Sequence, residues 1–181
     1  AEKIVRMLKS IKGIKRCDYA GSLRRRKEII GDIDILVSAA DKNRSDILKK
    51  FTTYEEVESV LATGDTKASV ILKNGIQCDL RLVKDAEYPF ALNYFTGSKE
   101  HNVEVRSLAR KYGWSLNEYG FTHIEESKSS RKRNKIPSCD SEEGIYKALG
   151  LHYIPPELRE KNGEIEYAQK HAIPKLIELS D

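Results

Sequence analysis

The stretch AGSLRRRKEIIGDIDILV, residues 20–37, carries the pattern from which the fold of this chain can be predicted. Its second half places two aspartates between isoleucines and ends in an apolar run, which indicates a strand packed inside a sheet. Residues two apart on a strand point to the same side, so Asp32 and Asp34 project together. Their charges repel each other unless a cation lies between them. The sequence therefore predicts a central strand carrying two carboxylates that can bind a metal ion.

The Gly21-Ser22 pair follows a short strand candidate, Cys17–Ala20, and predicts a strand-to-helix turn. A glycine lets the backbone approach a phosphate, and the exposed amides and the serine hydroxyl can donate to it. Four basic residues, Arg24–Lys27, come next. Such a run is commonly a solvated surface. Beside this turn and the acidic pair, triphosphate binding is the favoured interpretation, with Arg25 facing inward.

A third carboxylate is expected on a neighbouring strand. Asp79 lies in the strand candidate Gln77–Val83, and Asn74-Gly75 predicts a two-residue hairpin turn before it. Magnesium in proteins is bound through one or two carboxylates together with substrate phosphates. Three carboxylates on adjacent strands can hold two metal ions ~4 Å apart, the arrangement that serves in-line phosphoryl transfer.

The remaining elements follow from periodicity and end signals. We predict a helix over Ile4–Ile11 before Gly13, one from Asp41 to Phe51, an apolar helical segment over Phe90–Phe95, one from Ser98 to Tyr112 with Val103 and Leu108 facing inward, and one from Ser141 to Leu149. Strands are predicted over Ile33–Val37, Val57–Ala62, Ala68–Leu72, Trp114–Leu116 and Tyr119–Thr122, a loop over Glu125–Lys135 and a linker over 152–163.

Composition narrows the class of protein. The chain has 181 residues, 33% charged and 39% hydrophobic, which suits a globular protein rather than a disordered one. Its first 30 residues hold ten Lys or Arg against three acids, which indicates a surface that meets polyanions. No signal-peptide pattern opens the chain, and no apolar run reaches the ~20 residues of a membrane span. The three separated cysteines support neither a zinc site nor a disulfide framework, and indicate a reduced, cytoplasmic setting.

The stretch quoted above, together with CDLRLV (residues 78–83) and ALNYFTGSKEHNVEVRSLARKYGWSLNEYG (residues 91–120), resembles the palm and thumb of family X DNA polymerases, in particular the bacterial members. The resemblance implies an α+β fold: a nucleotidyltransferase-type palm with a mixed β-sheet and flanking helices over residues 1–90, then a small α/β thumb subdomain over 91–151. Residues 152–181 would form a linker toward a C-terminal PHP-type domain. A lyase domain is expected before residue 1.

The resemblance also implies roles for individual residues. Asp32, Asp34 and Asp79 would be catalytic and ligate two Mg²⁺ ions, with Mn²⁺ as an alternative. The nucleotide-binding residues would be Gly21, Ser22, Arg25, Tyr94, Phe95, Gly97 and Asn102. Arg106 would contact the template, and Glu118 and Tyr119 would help to position that arginine. Lys99 and Gln77 depart from the polymerase beta pattern, where an acid and an arginine stand.

The implied activity is DNA-directed nucleotidyl transfer from a dNTP to a primer 3′-hydroxyl, as in gap-filling repair in a bacterial cytoplasm. Expected partners are primer-template or gapped DNA and a dNTP, with no membrane and a monomeric state favoured. Two alternatives stay open. One is a nucleotidyltransferase acting on RNA or a small molecule, which shares the Gly-Ser and D-x-D patterns but gives no reason for YFTGS and LNEYG. The other is a DNA-binding module with weak catalysis, although all three acids are present.

Overall fold

A computed structural model describes residues 1–124 and 134–176 of the chain. Its helices are α1 (Glu2–Lys9), α2 (Gly21–Arg24), α3 (Arg44–Thr52), α4 (Tyr88–Thr96), α5 (Lys99–Lys111), α6 (Glu142–Ala148) and α7 (Glu164–Gln169), with 3₁₀ turns at Asp41–Asn43 and Pro156–Leu158. Its strands are β1 (Ile14–Tyr19), β2 (Asp32–Ala39), β3 (Val57–Thr63), β4 (Lys67–Leu72), β5 (Gln77–Val83), β6 (Trp114–Asn117) and β7 (Gly120–His123).

Five strands form a mixed sheet in the order β1-β2-β5-β4-β3. The β2–β5 pair is parallel, and the other three pairs are antiparallel. Strands β6 and β7 form a separate antiparallel hairpin. The α+β class with a mixed sheet and flanking helices is therefore confirmed.

Both faces of the central strand β2 are covered. Ile33, Ile35 and Val37 point into the core that the sheet forms with α1 and α3. Leu36 points the other way and packs with residues of α4. Because side chains alternate along a strand, Asp32 and Asp34 lie on the Leu36 face, at the end of the strand that α4 leaves open.

The second subdomain has its own hydrophobic core, formed by α5, the β6–β7 hairpin, α6 and the segment that follows α6. The buried stripe of α5 consists of His101, Val105, Leu108 and Ala109. The prediction that Val103 faces inward was wrong, since that side chain is 50% exposed. Val103 lies two residues before Val105, about 200° around the helix, so the two cannot share a face.

The segment 152–163, for which the sequence predicts a linker, packs against this second core. Ile154 and Arg159 are fully buried in it, and Ile165 and Ala168 of α7 continue the same packing. The two prolines and the Asn162-Gly163 pair shape turns here without detaching the segment. The predicted loop Glu125–Lys135 falls outside the described residues, apart from its last two residues.

Local signals at helix starts act as predicted. The Ser98 hydroxyl accepts a hydrogen bond from the amide of His101, and the Ser141 hydroxyl accepts one from the amide of Gly144. Each serine therefore satisfies one amide that a helix start leaves free. The three cysteines are buried and form no disulfide bond with one another. No helix in the described ranges is both long and apolar enough for a bilayer crossing.

Candidate active site

The Gly21-Ser22 turn lies directly against the acidic strand. The amide of Ala20 donates to the carbonyl of Asp34 at 2.8 Å, and α2 begins at the next residue. Gly21 has φ +61°, and a Cβ at this position would lie 2.4 Å from Oδ2 of Asp34. Only glycine allows both this backbone conformation and this approach. The turn therefore places its amides beside the carboxylates.

The parallel register of β2 and β5 places Asp34 directly opposite Asp79. Asp32 lies two residues earlier on the same face of β2. Burial, together with the charges of Asp32 and Asp79, raises the pKa of Asp34 to about 6, even though Arg81 and Lys67 oppose the shift. This carboxyl group therefore lies in a field of unbalanced negative charge, which a bound cation would relieve.

Asp79 is in a different environment, because two neighbours hold its carboxylate. The Lys67 ammonium lies 2.7 Å from Oδ2, and the Gln77 amide donates to Oδ1 at 3.0 Å. Burial alone would raise the pKa of Asp79, but hydrogen bonds from Lys67, Gln77 and Ser69 outweigh it and lower the pKa. Asp79 is thus ionised and already paired with a cation of the protein.

Lys67 is a residue of this site that the sequence analysis missed. Ser69 of β4 lies opposite Asp79, and Lys67 lies two residues before Ser69 on the same face of the strand. The available signal was therefore the alternation along β4, combined with the pairing of β4 and β5. Gln77, which departs from the family pattern, still donates to Asp79, while Lys67 supplies the positive charge.

The carboxylates of Asp32, Asp34 and Asp79 do not form a complete metal-ligand set. Within the described residues, no three Asp, Glu, His or Cys side chains converge on one point as a ligand set would. Asp79 is turned to Lys67 and Gln77, whereas the side chains of Asp32 and Asp34 have no hydrogen-bonding or ion-pair partner among the described residues. Two carboxylates beside the Gly21-Ser22 turn match the donor set of Mg²⁺, which completes its shell with water and substrate phosphates.

Most of the predicted site residues line one open cleft of about 350 Å³ between the two subdomains. It is lined by ten of the predicted residues, Gly21, Ser22, Arg25, Asp32, Asp34, Tyr94, Phe95, Gly97, Asn102 and Arg106, and by Thr96 and Lys99. Acidic, basic and aromatic groups thus meet around a space that a nucleotide could enter. Lys99, noted above as a departure, adds a positive charge to the wall.

The second wall of the cleft is built by the end of α4 and the start of α5. The Asn102 side-chain amide donates from Nδ2 to the backbone carbonyl of Tyr94 at 2.7 Å. The Arg106 Nε donates to the backbone carbonyl of Asn102 at 3.2 Å. Gly97, with φ +72°, lies so close to Arg25 that a Cβ would be 3.2 Å from Nη1. The end of α4 is therefore connected to Arg25, which follows the Gly21-Ser22 turn.

Glu118 and Tyr119 do not line this cleft. They lie at the β6–β7 turn, where the Asn117 side chain accepts from the amide of Tyr119. Together with Arg81 and Phe95 they line a neighbouring groove of about 170 Å³. The Arg81 guanidinium lies 4.4 Å from the centre of the Phe95 ring. The structure thus places Glu118 and Tyr119 with Arg81, whereas the resemblance assigned them to Arg106.

Gly21→Ala is expected to disrupt the site more than the fold. The added Cβ would meet Asp34 Oδ2 in a backbone conformation that alanine disfavours, so the turn must move away from the acidic strand. We expect binding of Mg²⁺-dNTP to weaken at least ~10-fold, the effect of about 1.4 kcal/mol of lost contacts. Titration with a fluorescent dNTP measures it. Gly75→Ala is the control, since its φ of +81° strains alanine similarly in open space. Equal binding by both variants would contradict this role of Gly21.

The fold and the cleft together define a class. The architecture is that of a polymerase beta-like nucleotidyltransferase. It combines a mixed sheet, in which two parallel strands carry the acids, with a Gly-Ser turn and a second subdomain across the cleft. A family model described as DNA polymerase beta thumb matches residues 91–160. This range covers most of the second subdomain and extends to Glu160.

Related proteins agree with this class. The chain is 35% identical over 168 residues to the DNA polymerase/3′-5′ exonuclease PolX of Bacillus subtilis, covering 92% of this chain and 28% of that protein. It is 27% identical over 144 residues to a repair DNA polymerase X of African swine fever virus, covering 77% and 78% of the two chains. Polymerase beta of Leishmania infantum, solved as a ternary P/T complex, matches with a TM-score of 0.73 at 24% identity, over 88% of this chain and 73% of the other.

The chain belongs to family X of the DNA polymerases. It spans less than a third of the length of the Bacillus relative.

Proposed function

We propose that this chain catalyses DNA-directed transfer of a nucleotide from a dNTP to a primer 3′-hydroxyl, in gap-filling repair. The observation that carries the proposal is the meeting of Asp32, Asp34, Ser22 and Arg25 around one cleft, with Asp79 in register beside Asp34. Phosphoryl transfer needs little more from a protein than positioning and charge stabilisation, and these residues can supply both. The family supports the same reaction.

The proposed roles follow from position and charge. Asp32 and Asp34 would hold divalent metal ions, which lower the pKa of the attacking hydroxyl and neutralise phosphate charge. Ser22 and Arg25 would bind the phosphates of the nucleotide, and Asp79 would lie next to the primer end. Tyr94, Phe95 and Asn102 would contact the sugar and base, and Arg106 the template. Primer-template or gapped DNA, a dNTP and Mg²⁺, or Mn²⁺ in its place, are the proposed ligands, in a bacterial cytoplasm.

The test is incorporation opposite a known template base. A duplex with a one-nucleotide gap is mixed with an excess of the chain, Mg²⁺ and one dNTP at a time. Extension of the labelled primer is then followed. Extension only by the nucleotide complementary to the template supports the proposal. Extension without regard to the template, or transfer only to RNA or small acceptors, would instead support the alternative hypothesis of a nucleotidyltransferase that acts on RNA or a small molecule.

Lys67→Met is expected to increase the affinity of the acidic cleft for Mn²⁺. The Lys67 ammonium lies 2.7 Å from the Asp79 oxygen that faces β4, so a metal ion next to Asp79 experiences its repulsion. Two unit charges ~4 Å apart in a water-like medium interact by about 1 kcal/mol, so removing the ammonium should favour the doubly charged ion by about 2 kcal/mol and raise the affinity roughly thirtyfold. Free Mn²⁺ is measured by electron paramagnetic resonance during titration.

The matched control is Lys73→Met, which removes the same charge from an exposed position after β4. It should leave Mn²⁺ binding nearly unchanged. If Lys67→Met binds Mn²⁺ no better than Lys73→Met, the ion site does not include Asp79.

A further inference from the structure

Arg25 is held from two sides before any ligand is bound. Its Nε donates to Oε1 of Glu160 at 2.7 Å, and its Nη1 donates to the carbonyl of Thr96 at 2.6 Å. The side chain is only 14% exposed, and it lines the cleft. The remaining nitrogen, Nη2, makes no hydrogen bond to any residue in the described ranges. The guanidinium is thus fixed in orientation with one donor group left over.

Glu160 is itself held by the second subdomain. It follows Arg159, whose side chain is fully buried and donates to Glu142 at 2.6 Å. The carbonyl of Arg159 accepts from the amide of Ser98, which ties this segment to the turn that carries Thr96. Both groups that fix Arg25 therefore belong to one connected part of the structure.

The two basic residues that follow Arg25 differ from it. Arg26 pairs with Glu157 at 3.1 Å, but the Arg26 side chain is 69% exposed and does not line the cleft. Lys27 lies 3.6 Å from the same oxygen of Glu160 and is 46% exposed. Among these three, Arg25 is the one whose ion pair is shielded from water and directed at the cleft. The run of basic residues is thus not a uniform solvated surface.

We infer that Glu160 is a positioning residue: it orients the Arg25 guanidinium so that Nη2 can donate to the phosphates of a bound nucleoside triphosphate. This inference rests on the proposed function and adds to it a residue from outside the cleft. An arginine already fixed in its binding orientation loses less conformational freedom when the phosphate arrives, so binding is tighter.

On charge alone, Glu160 would have the opposite effect, since a carboxylate next to Arg25 reduces the attraction for phosphate. Two substitutions separate orientation from charge. Glu160→Gln keeps an oxygen that accepts from Nε but removes the charge. Glu160→Ala removes both the acceptor and the charge.

The experiment is an anisotropy titration of the chain with a fluorescent dATP in Mg²⁺. We expect Glu160→Ala to weaken binding about tenfold and Glu160→Gln to restore it to the wild-type value or better. Glu157→Ala, the matched control three residues earlier, should bind as the wild type does. Arg25→Ala should lose binding, and adding Glu160→Ala to it should cause no further loss. Thermal melting of each variant verifies that it is folded.

Each contrary result has a definite meaning. Binding by Glu160→Ala equal to or tighter than wild type, with Arg25→Ala still weak, overturns the positioning role and leaves the proposed function standing. Equal weakening by Glu160→Ala and Glu160→Gln overturns it as well, because orientation alone should survive in the glutamine variant. If Arg25→Ala binds dATP as the wild type does, the assignment of the phosphate site fails, and the inference fails with it.

Discussion

Glu142→Ala is expected to destabilise the folded chain by about 3–5 kcal/mol, the usual result of removing one partner from a buried ion pair. Glu142 is 6% exposed, and its two oxygens accept from Arg159 and from Arg24. Burial alone would raise the pKa of Glu142, but the two guanidinium groups outweigh it and lower the pKa. Without this carboxylate, two arginines at the contact between the subdomains would lack a counter-charge.

Urea unfolding followed by circular dichroism measures this loss. Glu143→Ala is the control, because Glu143 lies in the same first turn of α6 and is exposed. Since the pKa of Glu142 is below the value of about 4.3 typical of an unfolded chain, its stabilisation is complete above that pH and is lost as the pH falls through the folded pKa. If both variants lose similar amounts of unfolding free energy at pH 7, the ion pairs of Glu142 with the two arginines add no stability beyond that of a negative charge in the first turn of α6.

The elements of the fold were predictable where a local signal defines them. The Asp-Ile-Asp-Ile pattern gave the central strand, and Asn74-Gly75 gave the turn between β4 and β5. The serines at 98 and 141 gave two helix starts. These signals depend on residues within one turn or one strand of each other. Tertiary contacts therefore had little influence on them.

The site was predictable only in part, for the same reason. Asp32 and Asp34 are two residues apart, and Gly21-Ser22 lies close before them, so the sequence brings them together directly. Lys67 reaches Asp79 because β4 pairs with β5 in one particular register. A different register would have placed another side chain there. No pattern within β4 alone distinguishes Lys67 from a solvated lysine.

The segment 152–163 shows even more clearly that local sequence patterns do not predict contacts with distant parts of the chain. Its prolines and its Asn-Gly pair are typical of a linker, and they do form turns. Arg159, however, becomes fully buried because Glu142 lies opposite it, 17 residues earlier in the chain. Glu160 meets Arg25 across 135 residues. The first contact is determined by packing within the second subdomain and the other by packing between the two subdomains, and turn-forming residues reveal neither.

Asp79→Asn is expected to slow nucleotide transfer by at least ~10²-fold, the scale of losing a principal electrostatic contributor to the transition state. Asparagine keeps the size of the side chain, and its oxygen can still accept from Lys67 or Gln77, so the local geometry should persist. What disappears is the negative charge beside Asp34, which in the proposed reaction favours loss of the proton from the primer hydroxyl. Single-turnover extension of a gapped primer measures the rate.

Nucleotide affinity should change little in the same variant, because Asp32, Asp34, Ser22 and Arg25 line the cleft without contribution from Asp79. The control is Asp46→Asn, which removes an exposed carboxylate paired with Lys50 on α3, away from the cleft. It should extend the primer at the wild-type rate. Extension by Asp79→Asn at the rate of this control would remove Asp79 from the reaction and leave the site with two carboxylates. A parallel loss of rate and affinity would mean instead that Asp79 helps to bind the nucleotide through a shared metal ion.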